Sequence, residues 1–221
     1  GPLGYLSIAA HAHADALAIC LAVDGNWLLV DPGTYAYGEN PRWRDYFRST
    51  HAHNSIVVDD VSQSGSGGPF LWLRHGNAML EQTGNQEGRY WVRGSHDGYG
   101  NRGVIHRRTV TVCTKAERLE ITDLLDGAGS HNAILFFHFA PHVKLTQESN
   151  GWLAWRPGIT RAARLRLPPE MHWEAVSESM NPISGWYSEA LGTKEPIMTL
   201  AGRWRGSLPF ECTTSVTIES V

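Results

Sequence analysis

The sequence is short of positive charge and of long apolar runs. Lys and Arg together number 19 against 22 Asp and Glu, which gives a formal net charge of −3. Such a balance provides no basic field to attract nucleic acid or a membrane surface. No apolar run approaches the roughly 18 residues of a membrane span, and no charged segment followed by an apolar one opens the chain. We therefore expect neither a nucleic-acid partner nor a membrane span.

Cysteine is also scarce. Cys20, Cys113 and Cys212 are odd in number, far apart, and each lies in an apolar or β-type run. This pattern favours buried free thiols over a disulfide framework, so cysteine does not decide between an exported and a cytoplasmic protein. Lysine is rare beside arginine, and Arg suits carboxylate and sulfate groups as well as ordinary surface ion pairs.

Three common catalytic and binding motifs are missing. The chain has no G-x-x-x-x-G-K-[ST], no G-x-G-x-x-G before a helix, and no G-x-S-x-G. The sequence therefore predicts neither a phosphate-binding loop nor the nucleophile turn of an α/β-hydrolase.

Helix-forming stretches are few, whereas 23 Gly and 11 Pro point to many short strands joined by tight turns. We treat residues 1–221 as one domain, since the chain can bury a core of ordinary size. Gly1 to Gly4 are either a remnant of protease cleavage or a native glycine-rich loop.

Turn signals divide most of the chain into strands. Residues 16–23 and 27–30 form a predicted hairpin around Asp24-Gly25-Asn26, residues 40–48 a short helix, 54–59 a strand, and 61–68 a flexible loop. Further strands are expected at 70–74, 78–82, 89–95, 104–113, 118–125, 132–139, 143–147, 152–155, 161–167, 198–203 and 213–218. The sequence thus predicts an all-β fold, a large antiparallel β-sandwich of about twelve or more strands with at most short helices.

The residues that could carry chemistry are crowded near the start. His11 and His13 would share one face of an extended segment, about 6–7 Å apart. His13, Asp31 and His53 form a set of two histidines and one carboxylate, each at the edge of a predicted strand. Zn²⁺ accepts such ligands, and Mn or Fe would fit the same set. The alternative is that the histidines bond backbone carbonyls and that Asp31 caps a Pro-Gly turn.

Several polar residues are secondary candidates. Tyr35 and Tyr37 follow Asp31 and could act as acid or base or contact substrate, although packing at a strand end is the simpler interpretation. Asn54 could orient a neighbour or bind substrate, and His106 and Arg107 could bring positive charge to an acidic ligand or be solvated. We expect His51 to face solvent and His138 to be a hydrogen-bonded sheet residue.

Three segments carry a family resemblance. They are AAHAHADAL at 9–17, LVDPGTY at 29–35, and YFRST followed by HN within 46–54. They resemble the heparinase II/III-like polysaccharide lyases, and specifically the C-terminal β-sandwich domain of that family. The likeness is strong over about the first 75 residues. It is looser around His106-Arg107-Arg108 and Phe137-His138-Phe139.

The resemblance implies a bacterial enzyme that cleaves an acidic, uronate-containing polysaccharide by β-elimination. It implies that His11 is the catalytic histidine and that His13, Asp31 and His53 hold a structural Zn²⁺. The family usually has Gly where this chain has Ala12. It also has an N-terminal α/α toroid that supplies a Tyr and the residues that neutralise the uronate, and this sequence contains no such helical domain. We therefore expect the isolated chain to have little or no activity.

The sequence does not determine the cellular location, the oligomeric state or the polysaccharide. A periplasmic or secreted protein is implied by the resemblance, and a cytoplasmic one is compatible with the sequence. One competing hypothesis is a non-catalytic carbohydrate-binding or structural module whose metal ties strand ends together. Another is a cupin-like metal enzyme, which is disfavoured because no G-x-H-x-H strand pair is present.

Overall fold

A computed structural model of the protein describes residues 9–220. The expectation for Gly1 to Gly4 concerns residues outside this range. Within the range there are twenty strands and one α-helix, α1 (Pro41–Arg48). The strands of the first half of the chain are β1 (Leu21–Val23), β2 (Asn26–Leu29), β3 (Ile56–Val58), β4 (Gly65–Ser66), β5 (Trp72–Arg74), β6 (Ala78–Gln86), β7 (Arg89–His96), β8 (Val104–Cys113) and β9 (Arg118–Gly127).

The regular elements of the second half, as far as residue 220, are strands. They are β10 (Ser130–His138), β11 (Lys144–Glu148), β12 (Gly151–Trp155), β13 (Arg161–Arg166), β14 (His172–Val176), β15 (Ser179–Met180), β16 (Ile183–Ser184), β17 (Trp186–Tyr187), β18 (Glu195–Pro196), β19 (Thr199–Ser207) and β20 (Phe210–Ser220). None of the helical segments in the described part of the chain has the length and apolar character of a membrane span.

Two sheets form the sandwich. The larger has eight strands in the order β11-β12-β13-β20-β9-β8-β7-β6, and the smaller has four in the order β14-β19-β10-β3. Each pairing within them is antiparallel. The predicted antiparallel β-sandwich is confirmed.

Side-chain alternation explains the core. In β9, every second residue from Leu119 to Leu125 is buried, Asp123 included, while the residues between them are more exposed, which is the period of a half-buried strand. β10 is instead buried on both faces, with Leu135 and Phe137 in the main core between the sheets. Its other face belongs to a separate apolar cluster on the outside of the small sheet.

The first predicted hairpin is shorter than expected. β1 begins only at Leu21, and residues 16–20 run without strand pairing. Leu17 has φ +61°, and the Ala18 N–H donates to the Asp15 carbonyl, so a turn replaces the start of the strand. The apolar character of 16–20 comes from lining a cavity and the sheet surface, which period-2 patterning does not distinguish from a strand.

The segment around His11 also differs from the expected extended form. The Ala12 N–H donates to the Ala9 carbonyl at 2.9 Å, which makes a turn. Ala12 itself is not in the left-handed region, so its methyl group causes no backbone strain. The sequence patterns did not predict β14 to β18, which are short or lie among turn residues. They also did not predict the short strand β4, which lies inside the predicted flexible loop.

Candidate functional site

Three segments bring the two histidines and the carboxylate together. His13 lies in the loop before β1, Asp31 lies two residues after β2, and His53 follows α1 and a short 3-10 turn over Thr50–Ala52. One ligand atom from each residue lies within 4.8 Å of the others. The rings of His13 and His53 have centroids 5.3 Å apart. We call His13, Asp31 and His53 the triad.

α1 determines where His53 lies. The Asn40 side chain accepts a hydrogen bond from the Trp43 N–H, and Pro41 occupies the first turn, where its missing N–H costs nothing. Trp43 and Phe47 are buried on one face of the helix. The Ser49 N–H donates to the Tyr46 carbonyl as the helix ends, and the chain then turns directly into His53.

A tight turn holds Asp31. Its Oδ1 accepts the Gly33 N–H at 2.9 Å, and its Oδ2 lies 2.9 Å from Nδ1 of His53. Gly33 has φ +83°, a conformation that glycine adopts without steric cost. Thr34 Oγ1 lies 3.4 Å from Nε2 of His13, so the same turn contacts both histidines. We call residues 31–35 the Asp31 turn.

Burial and mutual charge set the protonation of the triad. Burial, the nearby His53 and two arginines lower the pKa of His13 to about 3. Burial alone would raise the pKa of Asp31, but the hydrogen bond and charge of His53 and the Gly33 amide outweigh it and lower this pKa to about 2. For His53 the Asp31 carboxylate outweighs burial and raises the pKa. An ionised carboxylate and a neutral His13 are thus present at neutral pH.

The triad fits a Zn²⁺ ion. Two imidazole nitrogens and one carboxylate oxygen are donors that zinc accepts, with a fourth position left to water or another ligand. The three donor atoms lie within 4.8 Å of one another, which places them around a common point. Nε2 of His53 is buried without a hydrogen-bond partner among the described residues, while Nδ1 faces Asp31. Nδ1 is therefore the His53 nitrogen that contacts another residue of the triad.

His11 lies beside the triad and is exposed. Its ring meets the ring of Tyr37 edge to face, with centroids 5.2 Å apart. Phe70 stacks on Tyr37 with ring centroids 6.3 Å apart, and the guanidinium of Arg44 lies 4.9 Å from the Tyr37 ring centroid. Tyr37 is thus next to His11.

Tyr35 is placed differently from Tyr37. It has φ +62°, and its ring contacts Trp43 at 5.8 Å and Phe47 at 5.7 Å between centroids. It therefore packs with the buried side chains of α1, as the simpler of the two interpretations expected.

Two buried arginines bring positive charge to the neighbourhood of His13 and Tyr37. Arg44 and Arg48 are 0% and 1% exposed and form no ion pair with a carboxylate within residues 9–220. They donate to backbone carbonyls of Ala10, Ala12, Gly68 and Pro69. Burial and the charge of Arg48 lower the pKa of Arg44 to about 10, which leaves it charged at neutral pH.

A cavity of about 290 Å³ opens beside the triad. Its wall includes His13, Asp15, Asp31, Asn54 and Gln63. Burial raises the pKa of Asp15, and the negative Asp31 acts in the same direction. The cavity is large enough for a small polar group to approach Asp31 from solvent.

The structure corrects the interpretation of two candidate substrate contacts. Asn54 is buried and fully used: its side-chain amide donates to the Ile19 and Val30 carbonyls, and its oxygen accepts the His138 N–H. It therefore orients neighbouring segments and has no free group for substrate. His106 is 0% exposed, so it cannot contact a polysaccharide directly.

Arg107 is on the surface. It pairs with Glu81 at 3.1 Å and Asp126 at 2.5 Å, on the face of β8 opposite to His106. These ion pairs occupy its guanidinium, so it is a surface residue of the large sheet.

The sequence did not reveal a buried polar network behind the site. His96 Nδ1 accepts the Gly98 N–H, so His96 Nε2–H donates to His106 Nδ1, and His106 Nε2–H in turn donates to Asp123. Arg108 holds both oxygens of Asp123 and also donates to the Leu17 and Asn54 carbonyls. Because residues 106 and 108 alternate inward along one strand, the i, i+2 spacing of His and Arg was the available signal.

The structure also tests the predictions for His51, His138 and the three cysteines. His138 bonds Thr199 Oγ1 at 3.0 Å within the small sheet, as predicted. His51 is half-buried with its ring 5.9 Å from that of Phe136, so the expectation that it faces solvent was wrong. All three cysteines are free thiols, but Cys20 is exposed and only Cys212 is buried.

Comparisons with known proteins agree with this architecture. The family model described as "Heparinase II/III-like, C-terminal" matches residues 1–216. The heparan sulfate lyase HepC from Pedobacter heparinus superposes with a TM-score of 0.75 at 13% identity, over 96% of this chain and 31% of that one. A structure of heparinase III gives a TM-score of 0.73 at 17% identity, over 97% and 31%. The chain thus spans about a third of the length of these solved structures. No curated protein matches its sequence.

Proposed function

Because the chain belongs to the heparinase II/III-like C-terminal family, we propose that it is the sandwich domain of a polysaccharide lyase. In this proposal the enzyme cleaves uronate-containing acidic polysaccharide by β-elimination, with His11 in the reaction and Zn²⁺ on the triad. The observation that supports it most directly is the exposed His11, which lies two residues before a triad ligand and in ring contact with Tyr37.

The chemistry assigns separate tasks to the groups at the site. β-Elimination requires that the uronate carboxylate be neutralised, that the C5 proton be removed, and that the oxygen leaving C4 be protonated. The His11 imidazole is exposed and can exchange a proton with substrate. Tyr37, beside it, offers a phenol that can contact the same sugar. Arg44 and Arg48 add positive charge behind these two residues.

The triad would hold the metal away from the proton transfers. Bound Zn²⁺ would supply a fixed link between the loop before β1, the Asp31 turn and the segment after α1. His13 is two residues from His11, so fixing His13 restricts the backbone that carries His11. His13, Asp31 and His53 therefore act on the reaction through the position of their neighbour.

The rest of the enzyme is expected to come from a helical domain. The solved structures of HepC and heparinase III are about three times as long as the segment that superposes on this chain. We propose that an α/α toroid packs against the His11 side and supplies the Tyr and the carboxylate-neutralising group. The polysaccharide and this helical domain are the partners of the proposed enzyme.

An elimination assay tests the proposal. The gene product that contains this chain together with a helical domain is incubated with heparan-type, alginate-type and bacterial uronate polymers. Ultraviolet absorbance of the unsaturated uronate is followed for the wild type, His11→Ala and the control His142→Ala, which alters an exposed loop histidine. We expect turnover on at least one polymer and a loss of about 10²-fold or more in His11→Ala only.

Two results would count against the proposal. Unchanged turnover in His11→Ala would remove this histidine from the reaction. Polysaccharide binding with no turnover on any uronate polymer would favour the non-catalytic binding module instead. The 221-residue chain alone is expected to give little or no product, and clear turnover by it would contradict the need for a helical domain.

A further inference from the structure

A hairpin from late in the chain covers the Asp31 turn. β17 and β18 pair with each other, and the loop 188–194 that joins them lies against residues 31–35. The Ser188 N–H donates to the Pro32 carbonyl at 2.8 Å, and the Gly192 N–H donates to the Tyr35 carbonyl at 2.8 Å. Two backbone hydrogen bonds therefore tie this loop to both ends of the turn.

The contact between the two segments is close. A Cβ placed on Gly33 would lie 2.1 Å from the Ser188 carbonyl oxygen, well inside any permitted separation. Gly33 also gives its N–H to Asp31 Oδ1. A shift of Ser188 would therefore move Gly33, and with it the Asp31 carboxylate that faces His53.

Lys194 joins the loop to two other elements. Its Nζ lies 4.8 Å from the ring centroid of Tyr35, 4.6 Å from that of Trp43 and 5.4 Å from that of Trp186. These rings belong to the Asp31 turn, to α1 and to β17 respectively. Within residues 9–220 no carboxylate lies at ion-pair distance from Lys194, so the three ring faces are its main partners.

We propose that Lys194 is a positioning residue for the Asp31 side of the metal centre. The ammonium group holds Tyr35 and Trp43 against the loop, the loop holds Pro32 and Gly33, and the turn then presents the Asp31 carboxylate to His53. This inference rests on the proposed function, because it concerns the Zn²⁺ that the triad is proposed to bind. Lys194 touches neither the ion nor substrate.

The test measures metal binding directly. The metal-free chain is titrated with Zn²⁺ in competition with a chromophoric chelator, for the wild type, Lys194→Met, Lys194→Gln and Lys194→Arg. Lys144→Met serves as the matched control, since Lys144 is exposed on the edge strand β11. Thermal unfolding of each metal-free variant shows that it is folded at the temperature of the titration.

The expected Zn²⁺ affinity of each variant depends on whether residue 194 carries a positive charge. Lys194→Met and Lys194→Gln weaken Zn²⁺ binding about tenfold, the size typical for groups that orient a metal ligand. Lys194→Arg retains most of the affinity, because a guanidinium also binds aromatic faces. Lys144→Met binds as the wild type does. The visible spectrum of the Co²⁺-loaded protein changes in the two neutral variants, which a general loss of stability would not produce.

Other outcomes separate this inference from the proposed function. If the wild type binds one Zn²⁺ and both neutral variants bind it equally well, the role of Lys194 is wrong and the metal site stands. If the wild type binds no Zn²⁺, the metal site and the inference fall together, and the His11→Ala assay still decides the lyase proposal. Loss of affinity in Lys194→Arg as well would overturn the role of the positive charge.

Discussion

Nδ1 of His53 lies 2.9 Å from Oδ2 of Asp31, although His53 is fully buried and the Asp31 side chain is 45% exposed. The pair therefore has one partner anchored in the core and one that reaches solvent. An ion entering the triad would approach from the Asp31 side, where the cavity opens. The buried histidine is held in place by the core, and the exposed carboxylate can be reached from solvent.

Metal content is the first prediction. Protein purified without added metal is expected to contain one Zn²⁺ per chain by elemental analysis. Chelation should lower the thermal midpoint, because binding contributes about 2.7 kcal/mol when free metal is 100 times the Kd. Asp31→Asn should abolish this effect, whereas Asp24→Asn in the exposed β1–β2 turn should not. A content well below one equivalent would contradict the prediction.

The second prediction contrasts two adjacent arginines. Arg108→Met leaves the Asp123 carboxylate buried without its guanidinium partner, so it should lower the free energy of unfolding by about 3–5 kcal/mol. Arg107→Met removes only partly exposed ion pairs and should cost about 0–1 kcal/mol. Urea unfolding of both variants measures the difference. Equal losses would show that the buried pair is not the more important one.

The third prediction concerns two glycines in left-handed turns. Gly25 has φ +78° and open space around its Cβ position, so Gly25→Ala should cost about 1–2 kcal/mol from backbone strain alone. Gly33→Ala adds the clash with the Ser188 carbonyl, worth about 1–3 kcal/mol more. It should also weaken Zn²⁺ binding, since Gly33 holds Asp31. Similar stability for the two variants would argue against the tight contact.

The fourth prediction is a dependence of stability on pH in the chelated protein. Burial lowers the pKa of His96 and of His106, so both are neutral when folded and take up protons on unfolding below about pH 6.5. Their contribution to stability is complete above that pH and is lost as the pH falls, at up to about 1.4 kcal/mol per pH unit each. Asp123, with a pKa of about 2, adds a further loss below about pH 3.9.

His53 acts in the opposite direction. Asp31 raises its pKa, so its contribution is present below about pH 6.5 and is lost as the pH rises. Comparing variants isolates the network: His96→Gln should flatten the slope of unfolding free energy between pH 7 and pH 5, while the exposed-loop variant His142→Gln should keep the wild-type slope. Identical slopes in all three proteins would contradict the assignment.

Much of the fold and part of the site could be predicted from local patterns. Regular short strands with turn residues between them indicated the sandwich. The crowding of His13, Asp31 and His53 at strand edges indicated a common site, and the structure brings these three residues together. Both signals are local in sequence, because strand period and turn chemistry act over a few residues.

The supporting contacts depend on pairings that a single sequence does not encode locally. Nothing near Gly33 announces that the Ser188 carbonyl will lie against it, 155 positions along the chain. His106 was expected to be solvated or to bring charge to an acidic ligand, whereas the structure buries both His106 and Arg108, a rare position for charged residues. Their burial becomes intelligible only once Asp123 on the neighbouring strand is known to lie opposite Arg108.

The separation between ligands and their supports has a consequence for biosynthesis. All three triad residues precede residue 54, whereas β17 and β18 are synthesised more than 130 residues later. The Asp31 turn cannot reach its final shape until residues 188–194 have been made and have docked. Any uptake of metal by the triad would therefore follow the docking of residues 188–194 on the Asp31 turn.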